Sequence, residues 1–348
     1  MRVSLYKSDR NFHIEPGESV LEAALAAGFN LPHSCKTGSC GLCRARLLEG
    51  EVRYPRGPPL GLGAREMAEG SILLCEAQAR SDLSIDILEV GPAGAQRVKR
   101  LPCRIERTER LSHDVMALFL RLPAAEPFEF LPGQYIDIML PRGRRRSFSI
   151  ASPPHDARLL ELHVRRVAGG EFTERLFAGD ARATLLTIEG PLGHFVYRTA
   201  VAQAVPMLLI GGGTGFAPLK SILRHLIENG VSREMTLYWG VRAQRDLYAL
   251  AALHDLERRS GQFRYVPVLS EPSPGWAGRK GFVHEAVIAD IGELARYDVY
   301  ASGPPAMIEA VRRELEQRGV PRERLSFDSF DYAPDSPARQ RSTADSKS

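Results

Sequence analysis

The sequence predicts a multidomain chain in three parts: a small α+β domain, an antiparallel β-barrel, and an α/β domain built on a parallel sheet. Three observations predict it. Residues 1–91 combine short β-type runs, one amphipathic helix and a tight group of cysteines. Residues 101–200 break into many short β-type runs separated by Pro and Gly. Residues 201–332 run twice from an apolar strand through a glycine-rich loop into a helix. With 348 residues, 44% of them hydrophobic, the chain is long enough for each part to bury its own core.

In the first part, residues 3–6 and 12–14 read as a β-hairpin. Residues 19–27 form a short helix with Val20, Leu21, Ala24 and Leu25 on one face, stopped by Gly28. Three of the five cysteines, Cys35, Cys40 and Cys43, then fall within nine residues, and Cys75 lies 32 positions further on. Residues 45–48 and 71–74 are strands, the second leading into Cys75, and residues 83–88 are an alternating closing strand. Residues 92–100 are small and polar and read as a linker.

Disulfides fit these cysteines badly, because their number is odd and nothing suggests export. Structural zinc uses two separated Cys-x2-Cys pairs, and only one is present. The C-x4-C-x2-C…C spacing is that of a plant-type 2Fe–2S cluster, in which one loop supplies three thiolates and a distant strand end the fourth. Thr37, Gly38, Ser39 and Gly41 are small enough to let backbone N–H groups turn toward the sulfides. Cys103, entering a later strand, is a buried structural thiol.

In the second part, Leu131-Pro132-Gly133-Gln134-Tyr135 opens a strand, a basic run of Arg142, Arg144, Arg145 and Arg146 follows, and Arg146-Ser147-Phe148-Ser149 continues it. About 20 residues on, the strand through His163 and Val164 ends in Gly169-Gly170, leading into a helix with Phe172 and Thr173. Gly190-Pro191-Leu192-Gly193-His194-Phe195 is a closing turn.

In the third part, residues 207–210 are a short apolar strand, Gly211-Gly212-Gly213-Thr214-Gly215 a loop, and residues 218–228 a helix with Leu219, Ile222, Leu223, Leu226 and Ile227 on one face. Strand, glycine loop and helix N-terminus make an anion site, because unsatisfied N–H groups and the helix dipole both face it. The loop is not G-x-G-x-x-G, and no acidic residue follows the next strand, 235–239, which leads to Arg242. That disfavours an ordinary Rossmann dehydrogenase. A second loop, Ser302-Gly303-Pro304-Pro305, again joins a strand to an amphipathic helix. Residues 333–348 are polar and Pro/Ser-rich and are expected to be disordered.

The order of these motifs over residues 1–332 resembles the ferredoxin–NAD(P)H reductase superfamily carrying an N-terminal plant-type ferredoxin domain. It is most similar to the reductase components of bacterial multicomponent oxygenases, of the phenol hydroxylase and methane monooxygenase kind, and to the CDP-6-deoxy-Δ3,4-glucoseen reductase group. The resemblance implies a β-grasp ferredoxin over 1–91, an FAD-binding barrel over 101–200 and a nucleotide-binding domain over 201–332. It assigns Cys35, Cys40, Cys43 and Cys75 to the cluster. Arg146 would meet the FAD pyrophosphate, Phe148 the isoalloxazine face and Ser149 the vicinity of flavin N5, with Tyr135, Ser147, His163 and Val164 as further contacts. Gly170, Phe172 and Thr173 would serve the FAD phosphates. Gly212, Gly213, Thr214 and Gly215 would hold the nicotinamide end of the nucleotide, beside Ser302, Gly303 and Pro304. Ser302 stands where the family has cysteine, and Phe330 would lie at the flavin edge. Ser149, Thr214, Ser302 and Phe330 are thus the residues around the reacting atoms, while His163 and His194 are packing or turn residues, since hydride transfer to flavin requires no protein base.

The implied activity is hydride transfer from a nicotinamide nucleotide to FAD and single-electron delivery through the 2Fe–2S cluster to an oxygenase component or sugar dehydratase. Arg242 and Arg245 lie where a 2′-phosphate would sit, and Tyr248 is spaced as in some NADPH users; relatives with this domain order mostly use NADH, so NADH is expected and NADPH stays open. Partner choice would depend on the surface near His33, Lys36 and Arg44. An iron–sulfur redox sensor or adaptor, and a diaphorase with a structural cluster, are the alternatives. Net charge is +4, divided as −2 over residues 1–91 and +6 beyond, without the basic, aromatic-studded face of a nucleic-acid binder. No apolar run reaches the roughly 20 residues that span a bilayer. Residues 1–10 carry charges where a signal peptide is apolar, so a cytoplasmic location is expected.

Overall fold

The computed structural model describes residues 1–6, 10–29, 31–33, 36–38, 41–87, 98–156, 158–179, 184–199 and 201–330. Two compact units make up the chain: Met1–Gln96 with the Phe327–Phe330 segment, and Arg97–Ser326. The tail over 333–348 lies outside the described residues.

The first unit contains β1 (Arg2–Leu5), β2 (Asn11–His13), α1 (Val20–Ala26), β3 (Arg44–Glu49), β4 (Val52–Arg53), α2 (Ala64–Ala68), β5 (Ser71–Leu73), β6 (Gln78–Ala79) and β7 (Leu83–Asp86). Five strands form a mixed sheet in the order β2-β1-β7-β3-β5, in which β1 and β7 run parallel. β4 and β6 pair separately. Strand alternation turns Val3 and Leu5 of β1 and Leu83 and Ile85 of β7 into the core, where they meet Val20, Leu21 and Ala24 of α1. The helix starts at Ser19, whose hydroxyl accepts the Glu22 N–H at 3.2 Å while the Glu22 carboxylate accepts the Ser19 N–H at 3.1 Å, so two otherwise orphaned donors are satisfied. One helix laid on a mixed sheet is the β-grasp arrangement.

The second unit begins with β8 (Lys99–Arg110), β9 (Val115–Arg121), β10 (Tyr135–Met139), β11 (Arg145–Ser149), β12 (Leu159–Arg165), α3 (Glu171–Phe177) and β13 (Leu185–Leu192). The six strands form one antiparallel sheet, β11-β10-β13-β8-β9-β12, and a bridge from Ile150 to Leu162 joins its two outer strands into a barrel. Leu118, Ile136, Ile138, Leu160, Leu162 and Val164 fill the interior without exposure. Each contributes about 1.5–3 kcal/mol by leaving water. Cys103 is buried among them, and burial pushes its thiol up to about 12, as suits a structural residue. β8 reaches two residues into the stretch expected to be a linker, because Lys99 and Arg100 pair with Gly190 and Glu189.

The same unit continues with β14 (Met207–Gly212), α4 (Phe216–Glu228), β15 (Met235–Val241), α5 (Leu250–Arg259), β16 (Phe263–Leu269), β17 (Arg279–Lys280), α6 (Val283–Asp290), β18 (Asp298–Gly303), α7 (Pro305–Gln317) and the first two residues of β19 (Leu325–Ser329). The sheet order is β17-β16-β15-β14-β18-β19. β14 is buried along its whole length and pairs in parallel with β15 on one side and β18 on the other. The order therefore reverses at β14, and the crevice beyond the carboxyl ends of β14 and β18 is a topological switch point, where open α/β sheets bind ligands. At the opposite end of the sheet Asp298 is enclosed by two arginines. Arg233 Nη2 lies 2.8 Å from Asp298 Oδ2 with neither side chain exposed, and Arg198 Nη2 bonds the other carboxylate oxygen. Among the described residues no helix is long and apolar enough to cross a membrane.

Candidate functional site

In the first unit, antiparallel pairing of β3 with β5 brings Cys43, just before β3, to Cys75, two residues beyond β5. The Cys43 carbonyl accepts the Leu74 N–H at 3.1 Å. Both thiols are buried and neither forms a disulfide. Cys35 and Cys40 lie outside the described residues. The loop around them is built to turn tightly: Lys36, Gly38 and Gly41 have φ of 55°, 72° and 73°. It is braced from outside, since the Gly61 N–H bonds the Gly38 carbonyl at 2.7 Å and a β-carbon at Gly38 would lie 2.9 Å from Pro59. Two buried sulfurs on converging backbone, next to a loop of left-handed residues, fit a cluster held by soft thiolate ligands. Two of the residues expected to shape the nearby surface have partners within the protein. Arg44 is spent on Glu66 at 2.5 Å and on the Gly61 carbonyl at 3.2 Å, and the buried His33 ring bonds the Leu31 carbonyl at 2.8 Å.

In the barrel, β11 carries the expected flavin residues. Tyr135 faces Ser149 across the β10–β11 ladder, and Phe148 meets Phe172 of α3 with ring centroids 5.8 Å apart. The arginine run divides. Arg144 pairs with Glu171 and Arg145 with Glu189, each at 2.6 Å, whereas Arg146 Nη1 donates to the Arg145 carbonyl at 2.8 Å. Four sequence expectations change in character. The Ser147 hydroxyl donates to Asp137 at 2.5 Å, so its backbone alone remains for a cofactor. The Thr173 hydroxyl accepts the Val167 N–H at 3.1 Å and lies 3.2 Å from the Val167 and Gly170 carbonyls, tying the glycine turn together instead of facing a phosphate. Val164 points into the barrel core, and His163 has both ring nitrogens engaged by protein groups.

In the nucleotide sheet, the two expected loops emerge side by side, because Gly211 of β14 pairs with Ser302 of β18. They are packed to the limit of backbone contact. A β-carbon at Gly212 would meet Met307 Sδ at 2.4 Å, one at Gly303 would meet Met307 Cε at 2.7 Å, and one at Gly215 would meet the Ser302 carbonyl oxygen at 2.1 Å. Thr214 is half-buried at the tip, Ser302 is fully buried, and Pro304 is exposed at the start of α7. This cradle leaves backbone groups and the 13-residue helix α4 facing the switch-point crevice, which fits a dinucleotide phosphate. Gly215→Ala is expected to force the loops apart, since its clash is with backbone. We expect a stability loss of about 1–3 kcal/mol and slower flavin reduction by NADH with unchanged FAD content, read by stopped-flow absorbance. An unchanged reduction rate would show the loop is not at the reacting end. Arg242 lies exposed past β15, and Phe330 is half-buried after β19. The Tyr248 hydroxyl bonds His163 Nδ1 at 3.1 Å, and its ring makes a T-shaped contact with Trp239 at 4.9 Å.

A polar row, of which the sequence singled out only His163, joins barrel to nucleotide sheet. Glu161, His163 and Arg165 alternate on β12 with the core residues Leu160, Leu162 and Val164, so all three face away from the barrel interior. Lys220 Nζ of α4 donates to Glu161 at 2.5 Å, and His163 Nε2 lies 3.0 Å from the same carboxylate. Burial alone would raise the Glu161 carboxyl, but the His163 hydrogen bond and the Lys220 ammonium outweigh it and hold the group at about 2. Burial lowers His163, keeping the ring neutral, so Nε2–H donates to Glu161 and Nδ1 accepts from Tyr248. The signal for this row was present as polar residues at every second position, a pattern that also marks a solvent face.

Comparison with known proteins gives three family models in the same order: a 2Fe-2S iron-sulfur cluster binding domain over residues 4–80, an oxidoreductase FAD-binding domain over 102–197 and an oxidoreductase NAD-binding domain over 209–313. The chain is 36% identical over 330 residues to CDP-6-deoxy-L-threo-D-glycero-4-hexulose-3-dehydrase reductase of Yersinia pestis, covering 95% of this chain and 98% of that one. It is 37% identical over 325 residues to the reductase subunit of the aromatic O-demethylase of Amycolatopsis, covering 92% and 96%. Among solved structures, the Amycolatopsis cytochrome P450 reductase matches with a TM-score of 0.76 at 35% identity, covering 95% of this chain and 99% of that one.

Proposed function

This chain belongs to the iron–sulfur flavoprotein reductases that join a 2Fe–2S domain to FAD- and NAD-binding domains, and from that premise we propose that it draws electrons from NADH and delivers them to an oxygenase component or a deoxysugar dehydrase. It is an oxidoreductase with an electron-accepting protein as its partner. When bound, FAD takes a two-electron hydride from the nicotinamide and the cluster passes electrons singly.

The remaining assignments concern this chain's own residues. Cys35, Cys40, Cys43 and Cys75 hold the cluster. Arg146 and the backbone of the Gly170 turn hold the FAD phosphates, Phe148 covers the ring, and Tyr135 and Ser149 flank it. Gly212 to Gly215, with Gly303 and Pro304, hold the nucleotide, and Thr214 and Ser302 lie beside the reacting carbon. Serine in place of cysteine at 302 keeps a small buried side chain beside the loop and removes a polarizable sulfur. The cluster module is assigned to residues 1–91, the FAD barrel to 101–200 and the nucleotide module to 201–332. The observation that carries the reading is that the glycine loop and the flavin barrel meet inside one compact unit, with a β-carbon at Gly213 falling 3.1 Å from Arg165 Nη1 of β12. NADH is favoured over NADPH because Tyr248 is committed to His163 and Trp239.

Anaerobic titration of the holoprotein tests this. NADH should bleach the flavin, and the reduced cluster should then appear by electron paramagnetic resonance, with a higher kcat/KM for NADH than for NADPH. A flavin that stays oxidised would favour the sensor reading, and a cluster that stays oxidised beside a bleached flavin would favour the diaphorase.

A further inference from the structure

The Gly213 peptide, immediately before Thr214, is gripped from two sides. Its carbonyl accepts Trp239 Nε1–H at 2.9 Å. On the other side lies the Arg165 guanidinium, so close that a β-carbon at Gly213 would fall 3.1 Å from Nη1, and Arg165 is itself paired with Asp114, with Nε 3.1 Å from Oδ2. Neither grip is isolated. The Trp239 indole stacks on Phe216, the first residue of α4, at 4.7 Å and 29°, and meets the edge of Tyr248 at 4.9 Å and 81°. Tyr248 is fixed in turn by His163, and His163 by the Glu161 carboxylate that Lys220 also holds.

Four side chains of this assembly come from the barrel: Glu161, His163 and Arg165 from one face of β12, and Asp114 from just before β9. The other four, Phe216, Lys220, Trp239 and Tyr248, come from the nucleotide sheet and its connections. Trp239 is also a fully buried core side chain, so phenylalanine at 239 would keep the stack on Phe216 while losing the indole N–H and some packing volume. The indole N–H instead satisfies a carbonyl at a residue with φ of 53°, a conformation the loop adopts to present Thr214.

We propose that Trp239 and Arg165 are positioning residues for hydride transfer: they fix the Gly213 peptide, and through it Thr214, relative to the flavin barrel, with Tyr248, His163, Glu161 and Lys220 as the buttress. This rests on the functional reading above. Hydride transfer is sensitive to small misplacements, a shift of about 1 Å being able to cost on the order of a hundredfold in rate.

The test uses the holoprotein with Trp239→Phe, Arg165→Lys and Tyr248→Phe. In anaerobic stopped-flow with NADH, Trp239→Phe and Arg165→Lys should slow flavin reduction by about tenfold or more, with Tyr248→Phe between them and wild type. The dissociation constant for NADH and the FAD content should stay near wild type in all three, the melting temperature should stay near wild type in Arg165→Lys and Tyr248→Phe and fall only modestly in Trp239→Phe, whose core side chain is smaller, and the isotope effect with deuterated NADH should rise. Wild-type rates in Trp239→Phe and Arg165→Lys would overturn the proposal. A slowing matched by equal loss of FAD, of NADH affinity or of thermal stability would overturn it too, by reducing these residues to a structural or binding role. The wild-type trace separates the two claims: if NADH fails to reduce wild-type flavin, the functional reading falls and takes this one with it, whereas equal rates in wild type and variants sink the positioning role alone.

Discussion

Replacing Cys75 with serine is expected to abolish reduction of a one-electron protein acceptor such as cytochrome c while leaving ferricyanide reduction by NADH at the wild-type level. Cys75 is buried just beyond β5, where the Leu74 N–H ties it to the Cys43 carbonyl, so serine will fit without disturbing the sheet. What is lost is a soft thiolate, for which a hydroxyl is a poor substitute toward iron and sulfide. The flavin and nucleotide sites are built by other residues and should turn over as before. Iron content, both acceptor assays and the flavin spectrum on one preparation check it. Equal loss of both activities would show that electrons do not leave the flavin by way of this cysteine.

The largest stability effect is expected at the base of the nucleotide sheet. Asp298→Ala should lower the unfolding free energy by about 3–5 kcal/mol. Arg233 is completely enclosed, its Nε donating to the Val205 carbonyl at 2.6 Å and its Nη2 reaching Asp298, so removing the carboxylate strands a buried cation. Arg198 loses a partner as well, which releases the segment joining barrel to sheet: its own N–H bonds Tyr300 and its Nη1 bonds Ser326. Denaturant unfolding measures the change. A loss below about 1 kcal/mol, the range of exposed ion pairs, would mean that water reaches Arg233 in solution.

Local features were legible in the sequence, and non-local ones were not. The helix expected over 19–27 appears as Val20–Ala26 with Ser19 as its cap, and Gly28 stops it at a φ of 79°. Those limits depend on capping chemistry and on glycine's tolerance of left-handed backbone, both encoded within a few residues. The strand expected over 207–210 extends to Gly212, because parallel neighbours on both sides carry the pairing into the glycines. The short β4–β6 ribbon gave no signal, since two residues per strand establish no period. At the site, the three-cysteine run and the glycine loops could be read as motifs because each is contiguous, while Cys75 had to be matched across 32 positions. Thr173 could not: a hydroxyl one turn into a helix after two glycines suits a phosphate or its own turn equally, and only the fold shows Val167 within reach. The role of Tyr248 was hidden for the same reason, its partner His163 lying 85 residues away.

The parallel pairing of β1 with β7 has a consequence for how the protein is made. Residues 3–5 emerge from the ribosome long before residues 83–85, their partners in the middle of the first sheet. That sheet cannot close until its last strand has been synthesised, and pairings so distant in sequence form late and slowly. Residues 35–43, with three of the cysteines, are therefore translated while that sheet is still open.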